Sequence, residues 1–190
     1  MEVLSIFSAF GLSASTGLNA YIPLIIVALL AKFTNLITLQ SPWDALTSWW
    51  IIGILFILAL IEFFADTTPV VNHVNDLIQT FVRPAAGAIA FAASAQVITN
   101  VHPILAMGLG VLISGGVHAT KALAVRPAVT AVTGGAANLP VGMLEDFTAT
   151  IVSIISIVIP IVIACILMVI TTWLILHLLK NYQKQYRTQE

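Results

Sequence analysis

Apolar runs of roughly bilayer-crossing length, about 20 residues each, follow one another along this chain. Most of its ionisable side chains are gathered in one stretch, from Leu60 to Glu145. That combination dictates the fold class. The 190 residues are 59% hydrophobic and only 8% charged, and no single soluble core could hide so much apolar surface. We therefore expect an all-α protein, a polytopic membrane helix bundle forming one integral membrane domain over residues 1–190. It should hold about five spans, a short amphipathic helix and one re-entrant or broken segment. Residues 179–190 read as a polar cytoplasmic tail. A net charge of -1 gives no electrostatic footprint for nucleic acid. Glu2, with no Lys or Arg before the first apolar run, argues against a cleaved signal peptide. Cys165 lies inside an apolar run and reads as an inert thiol.

The first run, Val3 to Ala31, is interrupted by small residues from Gly11 to Asn19 and then by Pro23. A helix there must kink or break into two pieces. A break inside a membrane survives only where protein or a wet cavity satisfies the freed backbone groups. Lys32 to Ser48 is a polar connector, and Trp43, Trp49 and Trp50 fit an interfacial aromatic belt. Trp49 to Ala65 reads as the second span. Asp66-Thr67-Thr68-Pro69 then reads as a helix start. It opens a short amphipathic helix with Val71, Val74, Ile78 and Phe81 on one side and Asn72, His73, Asn75, Asp76 and Gln79 on the other. With no Lys or Arg on its polar face, that helix should dock onto protein rather than lie on lipid.

Arg83-Pro84 is expected to start the third span, running to about Thr99. The fourth, Ile104 to about Leu123, places Ala106, Gly110, Ser114 and His118 on one stripe, a close-packing face with Lys121 just beyond. Val125 to Val141 is apolar but rich in Gly and Pro, so it reads as a half-helix plus a loop, or as an extra weak span. The last run is Glu145 to Leu179, kinked or divided at Pro160, with Trp173, His177 and Lys180 at its interfacial end.

Charges beside such runs are costly and should be paired, facing protein or a water-filled cavity. The candidate solute- or ion-binding residues are Asn19, Glu62, Asp66, His73, Asp76, Arg83, His118, Lys121, Arg126, Glu145 and Asp146. Two phrases recur among them. Val82-Arg83-Pro84-Ala85 returns as Val125-Arg126-Pro127-Ala128, and Ile61-Glu62-Phe63-Phe64 is echoed by Leu144-Glu145-Asp146-Phe147. Ser15-Thr16-Gly17-Leu18-Asn19-Ala20 also resembles Ser114-Gly115-Gly116-Val117-His118-Ala119. An odd number of crossings between such copies would make an inverted repeat, the plan of many transporters. Lys180, Lys184 and Arg187 place the C-terminus in the cytoplasm, as Lys32 does the first loop.

Catalytic motifs are fragmentary. Lys121 with Arg126-Pro127, Ser114 with His118, and His73 with Asp76 resemble pieces of lipid-phosphate phosphatase motifs, but in the wrong order and spacing. No metal-ligand spacing such as His-Glu-x-x-His is present, and no cofactor is expected. The reading is a transporter or channel for a small solute or ion, homo-oligomeric and surrounded by membrane lipid. The alternatives are a structural or accessory membrane subunit, or a membrane enzyme on lipid or isoprenoid phosphates.

Several phrases carry a family resemblance. They are Gly17-Leu18-Asn19-Ala20-Tyr21, Glu62 with Ala65-Asp66 and Pro69, Val82-Arg83-Pro84-Ala85, Gly115-Gly116-Val117-His118-Ala119, Arg126-Pro127, and Thr133-Gly134-Gly135. Together they resemble an uncharacterised bacterial membrane family, the domain of unknown function four-one-two-six. The resemblance implies a small multi-pass protein of the bacterial cytoplasmic (inner) membrane and adds no activity. The first polar loop and the tail carry none of these phrases.

Overall fold

A computed structural model describes residues 2–67, 69–95 and 102–159 of the chain. Among these residues the regular structure is helical, with no strand. Helix α1, Glu2–Thr16, is followed by α2, Ile22–Phe33. An extended connector and a short 3-10 turn, Trp43–Thr47, lead to α3, Trp49–Thr67. Helix α4 is Pro69–Ala95 and α5 is Pro103–Thr120. A π turn, Lys121–Val125, joins α5 to α6, Arg126–Thr133. Helix α7 is Asn138–Ile159. Three helical stretches are long and apolar enough to cross a bilayer: Val74–Ala95, Pro103–Thr133 and Asn138–Ile159. The shorter apolar helices Ile6–Thr16, Ile22–Phe33 and Trp49–Ala65 accompany them. This is the makeup of a membrane protein.

The first apolar run breaks rather than kinks. Gly17 follows the last turn of α1, and Pro23 sits in the first turn of α2, where its missing N–H costs nothing. Between them the Asn19 side chain supplies the cap. Its Oδ1 accepts from the backbone N–H of Tyr21 and of Ile22, both at 2.9 Å. At the other end of α2, Lys32 bends back to donate to the Thr47 carbonyl at 2.7 Å and lies 4.7 Å above the Trp49 ring. Trp49 and Trp50 are exposed at the start of α3, which fits an interfacial belt, whereas Trp43, expected beside them, packs partly buried against the core.

Helix α4 lies at the centre, touching α1, α2, α3 and α5. It corrects the expectation of a short amphipathic helix followed by a separate span starting at Arg83-Pro84. Both are one helix of 27 residues with Pro84 inside it. An internal proline removes a backbone bond and crowds the preceding turn, a cost of about 3 kcal/mol in water. Here α5 clamps the helix on both sides of that point. Ser114 Oγ donates to the Arg83 carbonyl at 2.8 Å, and the Pro84 ring lies beside Gly115. The amphipathicity is also inside out. Gln79 is 2% exposed while Phe81 is 75% exposed. A helix with its polar face inward and its apolar face outward suits lipid, not water.

The stripe Ala106, Gly110, Ser114 and His118 of α5 is buried, as its spacing predicts. It meets α4 backbone to backbone: a Cβ on Gly110 would run into the Gly87 carbonyl and the Ala88 Cα. Ser13 of α1 seals the seam, its hydroxyl placed 3.3 Å from the Gly87 carbonyl oxygen and 3.0 Å from that of Gly110. Nearby, Phe10 packs edge-on against Phe91. After α6 the chain reverses through Gly134 and Gly135 at φ 62° and 91°, conformations only glycine adopts freely. The helical part of this region is not a separate half-helix: it continues the fourth span, expected to end near Leu123, as one stretch to Thr133, and the loop follows it. Helix α7 starts at Asn138, ahead of the expected Glu145, because Pro140 falls in its first turn and is tolerated there. Pro160, Cys165, Trp173, His177 and the basic tail lie outside the described residues.

Candidate functional site

The site forms where the break between α1 and α2 meets the inward face of α4. Arg83 is fully buried there. Its Nη2 donates to Glu62 Oε1 of α3 at 2.7 Å. Its Nη1 lies 3.2 Å from the carbonyl oxygen of Gly17, freed by the break, and 3.2 Å from His118 Nδ1. Facing a guanidinium donor, Nδ1 must be the acceptor, which places the imidazole proton on Nε2. Nε2 then donates to Thr80 Oγ1 at 3.2 Å, and the Thr80 hydroxyl donates to the Asp76 carbonyl at 2.8 Å. One continuous hydrogen-bond chain thus runs from Arg83 through His118 to the backbone of α4.

A second group of charges lies beyond His118. Lys121 Nζ is 2.6 Å from Glu145 Oε2 of α7 and 3.2 Å from the Leu18 carbonyl oxygen, the next one freed by the break. Arg126 Nη2 donates to the same Glu145 oxygen at 3.2 Å. Its Nη1 reaches Asp76 of α4, 3.3 Å from Oδ1 and 3.4 Å from Oδ2. Lys121 and Arg126 are five residues apart, a spacing that diverges around an α-helix of 3.6 residues per turn. The π turn widens the helix there, with the Arg126 N–H bonded to the Lys121 carbonyl, and returns both cations to one face. The Asn19 carboxamide completes the set, donating to Asp146 Oδ1 at 2.9 Å.

Exposure grades across the cluster. The Arg83 and Glu62 side chains are 0% and 2% exposed, whereas Asp76 is 22% exposed. Among the ion-paired side chains the Arg83 guanidinium is the most deeply buried, and the Asp76 carboxylate is partly exposed.

Of the residues singled out in the sequence, Asn19, Glu62, Asp76, Arg83, His118, Lys121, Arg126, Glu145 and Asp146 come together in this way. The side chains of Asp66 and His73 lie outside the described residues. The two recurring phrases meet, Arg83 with Glu62 and Arg126 with Glu145. So do the look-alike segments: Thr16 Oγ1 donates to Ser114 Oγ at 3.0 Å, and Gly17 lies against Val117. Sequence reasoning missed Thr80, Tyr21 and the inward placement of Gln79, whose carboxamide interacts with the Tyr21 hydroxyl. The available signal was spacing, since Asn75, Gln79 and Arg83 recur every four residues and share one face. Among the described residues, no group of three or more His, Cys, Asp or Glu is arranged to hold a metal ion.

The chain belongs to the family described as a domain of unknown function, DUF4126, whose model matches residues 6–180. No curated protein and no solved structure matches it.

Proposed function

We propose that this protein is a small membrane transporter or channel that moves a small solute or ion past the charged cluster. The observation that carries the reading is the broken helix. The carbonyls of Gly17 and Leu18, freed between α1 and α2, face Arg83 and Lys121 inside a cluster whose Asp76 is partly exposed. Broken helices whose termini and free carbonyls surround ionisable groups are how many transporters build a binding site. A helix that needed only to span would not give up backbone bonds there. In this reading the chain crosses five times, as an inverted repeat whose halves each contribute one Arg–Glu pair, and works as a homo-oligomer in a bacterial inner membrane.

A second reading, a structural or accessory subunit, is favoured by the pairing itself, since Arg83, Lys121 and Arg126 each already hold a carboxylate. Water access separates the two. In a Cys165→Ala background, Asp76→Cys should react with a membrane-impermeant thiol reagent in intact liposomes, because a transport site must be reached from water. Failure to label from either side would leave the cluster as architecture. The same reagent tests the topology. Gln185→Cys should label only from the cytoplasmic side of inner-membrane vesicles, and labelling from the opposite side would overturn the five-span arrangement.

A further inference from the structure

We propose that a hydroxyl-binding site lies on the inward face of α4 beside the helix break, with Gln79 Oε1 as its acceptor and Arg83 Nε as its donor. The two residues are one turn apart on the same face of the helix. Gln79 is 2% exposed and Arg83 fully buried. The two terminal nitrogens of Arg83 are engaged by Glu62, the Gly17 carbonyl and His118. Neither Gln79 Oε1 nor Arg83 Nε meets a hydrogen-bond partner among the described residues. An unmet buried donor or acceptor carries its full desolvation cost, so two such groups one helical turn apart on a buried face call for a polar ligand.

The chemistry of the pair narrows that ligand. An anion would face the Gln79 carbonyl oxygen with the Glu62 carboxylate nearby, and a metal cation would face the Arg83 guanidinium. A group that donates one hydrogen bond and accepts another, and carries no charge, satisfies both atoms, and a hydroxyl does this from a single oxygen. It can come from a water molecule or from a small neutral polyol. Tyr21, which interacts with Gln79, is only half-buried, so the layer reaches a less enclosed part of the break. The site itself stands without the transport reading, and only the polyol source depends on it.

The sign of a stability change tests the site. Gln79→Met keeps the length of the side chain and deletes the acceptor. It should be made in a Tyr21→Phe background, so that the Tyr21–Gln79 contact is absent from both proteins compared. If a hydroxyl is bound, the change lowers Tm; if nothing is bound, it removes an unmet buried acceptor and raises Tm. The second measurement is an experimental structure of the full wild-type chain in nanodiscs, at a resolution that shows water. Density within hydrogen-bonding distance of both atoms is expected. A raised Tm, or an empty position in that structure, overturns the proposal. Glycerol then distinguishes the source. A glycerol-induced rise in Tm that is larger in Tyr21→Phe than in the double variant identifies a polyol hydroxyl. Equal rises, from general exclusion of the osmolyte, identify water.

Discussion

Gly110→Leu is expected to give no folded protein. The α4–α5 seam has its backbones in contact at this point, and even the single methyl of an alanine would press on the Gly87 carbonyl and the Ala88 Cα. Neither is the end of a flexible side chain that could swing aside. Gly87 is constrained in return, because a Cβ there would strike Ser114 and the Gly110 carbonyl. Overpacking a well-packed interior with extra methylenes typically costs about 1–3 kcal/mol where neighbours can shift, and more where they cannot. A leucine adds four carbons where none fits, against a total stability that is usually about 5–15 kcal/mol. Separating the helices would also pull Ser13 away from both carbonyls and Ser114 away from the Arg83 carbonyl. Gly110→Ala should already lower the melting temperature in detergent, and Gly110→Leu should abolish the monodisperse peak on size exclusion. The controls are Gly108→Leu and Gly116→Leu on the same helix, where an added Cβ meets nothing within 4 Å. Both should be close to neutral. A well-folded Gly110→Leu protein would mean that the seam is not where the helices hold together.

That seam was legible in the sequence because small residues at every fourth position have one physical use between membrane helices, which is close approach. The pairing of the arginines was legible for a similar reason: a guanidinium beside membrane-length apolar runs needs a carboxylate, and few were on offer. What could not be read came from competition between local and tertiary preferences. Pro84 looks like a helix start because local rules place proline in a first turn. The structure keeps it inside α4 because Ser114 and Gly115 of α5 support the backbone around it. Docking of α4 onto protein follows from its polar face having no Lys or Arg, but which face points inward does not: the polar one does, burying Gln79 and exposing Phe81. The convergence of Lys121 and Arg126 on Glu145 depends on a π turn, which leaves no periodic trace in the residues that form it. The small residues and Pro23 allow either a kink or a break after Gly17. What decided it was the set of partners waiting for its free groups: Asn19 for the N–H groups of Tyr21 and Ile22, and Arg83 and Lys121 for the carbonyls of Gly17 and Leu18.

Those partners also set the order of effects within the charge cluster. Arg83→Met should be the most damaging single change to a cation. It takes the guanidinium away from the Glu62 carboxylate, 2% exposed, and withdraws the donors on the Gly17 carbonyl and His118. Removing one member of a buried pair typically costs about 3–5 kcal/mol, because the remaining charge is left uncompensated. Arg126→Met should cost less. Glu145 keeps Lys121 at 2.6 Å, and Asp76 is 22% exposed and can be hydrated. The double change Arg83→Met with Glu62→Met replaces the pair by apolar groups of similar length and should recover most of the lost stability, since a buried pair is often worth little more than such a replacement. Melting of the four proteins, wild type, both singles and the double, measures the coupling between the two side chains. A double variant no more stable than Arg83→Met alone would show that Gly17 and His118, not Glu62, are what Arg83 chiefly serves. The same protein then tests function. Reconstituted in liposomes and challenged with sodium, chloride and glycerol as probes, the folded double variant should lose whatever flux the wild type supports, because the site's innermost charges are gone. Full flux through a folded double variant would make the Arg83–Glu62 pair a clamp between α3 and α4, and the transport reading would have to rest on the outer group of Lys121, Arg126, Glu145 and Asp76 alone.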